Sequence, residues 1–220
     1  MSSKYERELR QVLAGLNKGV NAVIKSCSEV EKAKMKLVEK RPFLVVRAAG
    51  SGIEGSGDLL ALRGDICFPI EVKSSKEAKL YLSGRTVDQY NSLVYEGNRS
   101  CLMPLYAYRL KGVRGDSWKI FRVETETLHG KLRKLAPFIP SLPLTRNGKP
   151  YLNWEKGLAL NEFIALICSQ TKSSESSLEN LQSRSNTSLE NLSLHEQNSQ
   201  EFSNPIGKRN ILAELMKRKL

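Results

Sequence analysis

Histidine is nearly absent from this 220-residue chain: only His129 and His195 occur, and no spacing joins them to each other or to a Cys, Asp or Glu cluster. Histidine-based catalysis and histidine metal ligation therefore lack support. Cysteine is scarce too. Cys27, Cys67, Cys101 and Cys168 stand far apart, form no Cys-x-x-Cys, and three of them sit in apolar runs. Buried free thiols are expected, and a zinc site or disulfide framework is not. No apolar run is long enough, at about eighteen residues, to cross a bilayer. The opening Met1-Ser2-Ser3-Lys4-Tyr5-Glu6-Arg7-Glu8 carries no apolar leader core, so the expectation is a cytoplasmic protein with no membrane partner.

Acidic residues are also in deficit: 23 Asp and Glu face 35 Lys and Arg, a net charge of +12. The imbalance is uneven, with 28 basic against 17 acidic residues over 1–169, 2 against 5 over 170–204, and 5 against 1 over 205–220. A surface this basic favours a polyanion partner. The length suffices for one core with a small appendage.

The stretch that carries chemistry runs from Gly57 to Lys73. Asp58 to Leu62 is a short apolar run, Arg63-Gly64-Asp65 supplies turn residues, and Ile66 to Val72 returns, so a β-hairpin is predicted. Glu71 and Lys73 are two apart and share a face, and the hairpin brings Asp58 beside them. A lone Glu-x-Lys is most often a solvated surface pair. Here Asp58 lies thirteen residues upstream of Glu71 and follows a Gly/Ser-rich run. Two carboxylates and an ammonium converging in this way suit a hard, oxygen-ligated cation such as magnesium.

In chain order, residues 3–16 have the spacing of an amphipathic helix through Tyr5, Leu9, Val12, Leu13 and Leu16, and Asn21 to Lys40 suggests a second. Its mixed charges point to packing on the first helix, with DNA contact through its lysines as the alternative. Phe43 to Arg47 is a predicted strand, and 48–57 a flexible loop able to approach phosphate, with Arg47 and Ser51 as its contacts. A helix from Thr86 to Tyr95, strands at Cys101–Leu110 and Trp118–Val123, a short helix over Glu124–Leu135 and a last apolar helix over Leu158–Ile167 follow. Pro69 and Pro104 fall inside predicted strands, and each must lie at an edge, end or bulge. Ser-Leu-Glu-Asn-Leu occurs at 177 and again at 188, too few copies for a solenoid. Residues 170–204 are expected to be a disordered Ser/Asn-rich linker. Residues 205–220 form a short basic amphipathic helix that either docks on a protein partner or ends the chain.

Asp58, Glu71 and Lys73 in this order resemble the Asp…(Glu)-x-Lys nuclease superfamily. The flanks Tyr5-Glu6-Arg7-Glu8-Leu9, Leu44 to Ser51, Leu80-Tyr81-Leu82 and Gln89 resemble, more narrowly, the archaeal Holliday junction resolvases, over roughly residues 4–123. The chain departs from that family in having Gly57 where proline is common and about twenty extra residues at 21–40. The resemblance implies a restriction-endonuclease-like α/β fold, a mixed central sheet flanked by helices, in a nuclease domain of residues 1–169. It implies a magnesium-dependent endodeoxyribonuclease of DNA recombination and repair, with manganese as a substitute ion, acting as a homodimer on four-way junctions. Asp58 and Glu71 would hold the metal with Glu6 as a direct or water-mediated contributor (Glu8 being the competing choice), and Lys73 would serve the attacking water. Arg7, Arg47, Ser51, Tyr81 and Gln89 are the implied DNA contacts. Two rivals stay open: a nuclease of the same superfamily acting on flaps or ends, and a non-catalytic protein that binds branched DNA.

Overall fold

Three short helices open the chain in the computed structural model, which describes residues 4–48 and 57–169. The glycine-rich loop at 49–56, the linker at 170–204 and the C-terminal helix at 205–220 lie outside the described residues. Helix α1 (Lys4–Leu13) buries Leu9, Val12 and Leu13. Two residues past its end, Gly15 has a φ of +65°, and a Cβ there would fall 2.7 Å from the Val38 carbonyl oxygen, so the position admits no side chain.

The single helix expected over 21–40 is two helices, α2 (Asn17–Ile24) and α3 (Glu29–Lys40). A reciprocal cap separates them. The Glu31 N–H donates to Ser28 Oγ, while Glu31 Oε2 accepts from the Ser28 N–H at 2.8 Å. This Ser-x-x-Glu signature is legible in sequence and satisfies donors that a continuous helix would have bonded internally. The inserted residues are core: Ile24, Cys27, Met35 and Val38 are all buried. Packing is thus the role of this segment's apolar side, as expected.

The main sheet has the order β1 (Leu44–Arg47), β2 (Leu59–Arg63), β3 (Ile66–Ser75), β5 (Leu105–Leu110), β6 (Trp118–Arg122), β8 (Leu158–Ala159). Every pairing is antiparallel except β3 with β5. A parallel pair needs a crossover, and helix α4 (Arg85–Ser100) supplies it. The short strands β4 (Lys79–Tyr81) and β7 (Tyr151–Asn153) pair separately. Helices α5 (Gly130–Leu135) and α6 (Leu160–Ser169) complete the chain order. One face of the main sheet packs with α1, α3 and α6. The other buries Tyr106, Tyr108 and Phe121 against Leu82 and Leu93. The expected mixed sheet flanked by helices is the observed architecture.

Boundaries differ where tertiary geometry decides. The β2–β3 turn is two residues, with Gly64 at its first position and φ +58°, as a type II′ hairpin requires. Pro69 sits inside β3 opposite Leu60, but the ladder to β5 opens only at Ile70, so its missing N–H falls where no partner strand needs it. Pro104 precedes β5. Helix α4 runs five residues beyond Tyr95 and ends at Cys101, which adopts the left-handed conformation with φ +54°. Leu102 to Pro104 therefore link the helix to β5 and do not extend the strand. Helix α5 starts at Gly130 and not at Glu124.

Two polar ties, one buried and one half-buried, close the fold. Asp116 accepts hydrogen bonds from the Asn161 backbone N–H, the Asn161 amide and the Trp118 N–H, joining β6 to the start of α6. Arg63 donates to the carbonyls of Arg41 and Ile167 and lies 5.2 Å over the Phe43 ring, pinning β2 to the ends of α3 and α6.

Candidate active site

The hairpin register sets the site. Leu59 pairs with Ile70, so Asp58, one residue earlier, stands across from Glu71. The Asp58 N–H donates to the Ile70 carbonyl, and Asp58 Oδ2 accepts from the Val72 N–H at 2.8 Å. The carboxylate is thereby clipped to the strand that carries the other two groups. Glu71 is only 6% exposed. Its Oε1 accepts from Lys73 Nζ at 2.8 Å, and the same ammonium donates to Gln89 Oε1 of α4, also at 2.8 Å. Asp58, Glu71, Lys73 and Gln89 thus meet on one side of the sheet, where three elements converge.

The electrostatics are strained. Burial and then the Glu71 charge push the Asp58 carboxyl up to about 6, opposed by the Val72 N–H, with Glu6 adding to the rise and Lys73 offsetting it. Two carboxylates held this close repel, and Lys73 alone does not relieve them. A hard divalent cation would, because carboxylate oxygens are its preferred donors. Asp58 and Glu71 therefore fit such an ion. Among the described residues, no three His, Cys, Asp or Glu groups gather closely enough to hold a metal.

The other expected residues are spread around this centre. Glu6 stands 3.8 Å from Arg47 Nε, and its field reaches Asp58, so α1 and the end of β1 border the site. Glu8, the competing candidate, is committed elsewhere: its Oε1 accepts from Arg109 Nε at 2.9 Å and from the Trp118 indole at 2.8 Å. Arg7 is exposed on α1. Ser51 lies outside the described residues. Tyr81 is 60% exposed on β4 and stacks on Tyr151 of β7, with ring centroids 5.3 Å apart. Gln89 meets Lys73 directly and so belongs to the centre of the site.

Sequence reasoning missed three things here. Tyr151 is brought to Tyr81 by the β4–β7 pairing, across seventy residues, with no local signal. Tyr106 is brought beside Glu71 by the parallel β3–β5 register. A basic and aromatic cluster adjoins the far end of β5: Arg109 and Lys111 lie 5.1 and 5.6 Å from the Tyr5 ring, which meets Trp118 edge-on. Next to it a cleft of about 150 Å³ is lined by Lys25, Ser26, Arg109, Arg114 and Ser117, with Glu8 among them. Lys111 donates its N–H to the Ser75 carbonyl at the end of β3, so this positive surface begins two residues beyond Lys73.

Comparison with known proteins supplies the family. No curated protein matches the chain. A solved structure of Hjc, a Holliday junction resolvase from the archaeal hyperthermophile Archaeoglobus fulgidus, is similar at 22% identity and a TM-score of 0.39, over 62% of this chain and 96% of that one. The family model for archaeal Holliday junction resolvase (Hjc) matches residues 25–136, just over half of the chain. The match contains Asp58, Glu71, Lys73 and Gln89, and leaves out Glu6 and Tyr151. The chain belongs to the archaeal Holliday junction resolvase family, whose members are structure-specific endonucleases of branched DNA.

Proposed function

We propose that this chain nicks four-way DNA junctions with magnesium as its ion, manganese serving as a substitute, and that two copies related by a two-fold axis make paired cuts. The observation that carries the metal assignment is the Asp58–Glu71 pair, two clipped carboxylates of which one is pushed up to about 6. Asp58 and Glu71 would hold the ion, with Glu6 contributing directly or through water. A bound divalent ion lowers the pKa of a water and neutralises charge that builds on the phosphate.

The chain's own residues do the rest. Lys73, poised between Glu71 and Gln89, is close enough to orient the attacking water and then to balance the pentacovalent phosphate. Gln89 holds the ammonium in place when Glu71 turns to the ion. Arg47 borders the site beside Glu6 and, with Arg7 and Ser51, would contact backbone phosphates, while the exposed Tyr81 offers a ring to a sugar or base. The two-fold dimer follows from substrate symmetry: one chain has one such site, and a junction with paired arms presents two equivalent strands.

The test is cleavage by full-length protein on four-way junction, flap and linear duplex, with magnesium and with EDTA. Paired nicks giving ligatable linear duplexes, on the junction alone, are expected. Glu71→Gln and Lys73→Ala should abolish nicking and keep junction affinity, because that affinity comes from many phosphate contacts. Equal cutting of linear duplex would refute junction specificity, and nicking by Glu71→Gln at the wild-type rate would show the metal site to be misplaced.

A further inference from the structure

Tyr106 has a hydroxyl that the assignments above leave unused. The residue is 0% exposed on β5, and its Oη has no hydrogen-bond partner among the described residues. In the parallel ladder Glu71 pairs with Tyr106, so both side chains rise from the same face of adjacent strands. Burial raises the hydroxyl's pKa, and the charge of Glu71, then of Tyr90 and of Asp58, raises it further. At any working pH it is a neutral O–H with its proton in place. Buried tyrosine hydroxyls normally find an acceptor, because an unmade bond leaves the group desolvated without return. Around Tyr106 the charged acceptors are the carboxylates of the site. Both have other donors: Glu71 Oε1 takes Lys73, and Asp58 Oδ2 takes the Val72 N–H.

In turning to an ion, Glu71 would give up Lys73, whose ammonium Gln89 retains. That would leave a buried carboxylate without its ammonium, which is costly unless another donor replaces it. We propose that Tyr106 is the positioning residue for Glu71, donating its hydroxyl hydrogen to the Glu71 carboxylate as that carboxylate turns from Lys73 to the ion. Glu71 then exchanges one donor for another and stays ionised and aimed at the ion. Only hydrogen bonds change; no covalent bond or proton moves. The role rests on the metal-site assignment above, and on the buried Tyr106 hydroxyl that has no partner among the described residues.

Tyr106→Phe in the full-length chain tests it, since the variant keeps the ring and removes only the hydroxyl. The metal-free variant should resist urea at least as well as the wild type and bind junction in EDTA with unchanged affinity. Its affinity for Mn²⁺, measured by calorimetry, should fall about tenfold, the usual effect of losing a partner of a metal ligand. Nicking should recover to the wild-type maximum at high magnesium, so the apparent metal constant shifts and the turnover does not. In a Glu71→Gln background, Tyr106→Phe should add nothing to the defect in Mn²⁺ binding. Unchanged Mn²⁺ affinity in Tyr106→Phe, with affinity lost in Glu71→Gln, would overturn the role of Tyr106 alone. Unchanged affinity in both would overturn the metal site itself. A metal-free Tyr106→Phe protein less stable than the wild type would mean the hydroxyl is already bonded, and would equally overturn the exchange.

Discussion

Asp58→Asn should destroy catalysis and yet make the metal-free protein more stable. The carboxyl is raised from 3.8 to about 6, mostly by burial and by Glu71. A raised carboxylate means the native state prefers the protonated form. The stability linked to Asp58 is therefore complete below its unfolded pKa and is lost as pH climbs through about 6. A shift of roughly two units corresponds to about 3 kcal/mol as an upper bound. Asp58 is only partly buried, so solvent screening reduces this to roughly 1–2 kcal/mol at neutral pH. Asparagine keeps a carbonyl oxygen to accept the Val72 N–H and carries no charge to repel Glu71. For a domain of this size that gain raises the melting temperature by about 2–8 °C. The assay is thermal unfolding in EDTA across a pH series. The advantage of Asp58→Asn should be clear at neutral pH, shrink as pH falls through about 6, and vanish only below 3.8, where the wild-type carboxyl is protonated in both states. Saturating magnesium should reverse the order, because only the wild type gains binding energy from the ion. A variant no more stable than the wild type at neutral pH, or a difference that does not change with pH, would refute the reasoning.

Other outcomes follow from the same structure. Arg63→Ala should cost about 2–4 kcal/mol in urea unfolding, since it strips the Arg41 and Ile167 carbonyls of their donor and uncovers the Phe43 ring; a loss within experimental scatter would show those bonds to be incidental. Lys25→Glu with Arg114→Glu should weaken junction binding and flatten its salt dependence by about one unit of slope for each phosphate no longer neutralised, with the turnover of bound junction unaltered; unchanged binding would remove the cleft beside β5 from the DNA path. Truncation after Thr171 should leave unfolding within about 0.5 kcal/mol of the full chain and nicking intact. Truncation before Leu158 removes the buried Leu160, Phe163, Ile164 and Ile167 and should yield no folded protein by circular dichroism.

The amino-acid sequence by itself determined the hairpin and its chemistry, because both are local. Alternation on β3 places Glu71 and Lys73 on one face, and Gly64 supplies the positive φ of the turn, so Asp58 must return to their side. The Ser28–Glu31 cap that splits α2 from α3 was equally local, and periodicity alone overlooked it. Long-range register was not legible. Glu6 was preferred to Glu8 by resemblance alone, and the pairing of Glu8 with Arg109 and Trp118, which lie a hundred residues away in sequence, came only with the tertiary structure. The idle hydroxyl of Tyr106 exists only because β5 runs parallel to β3 with Tyr106 beside Glu71. Gln89 could be placed on a helix from its neighbours, but its hold on Lys73 depends on where the crossover lays α4 on the sheet. Side-chain pattern dictates which groups share a face of one element; the packing of elements on one another decides which faces meet, and in this protein the charged centre is closed by such meetings.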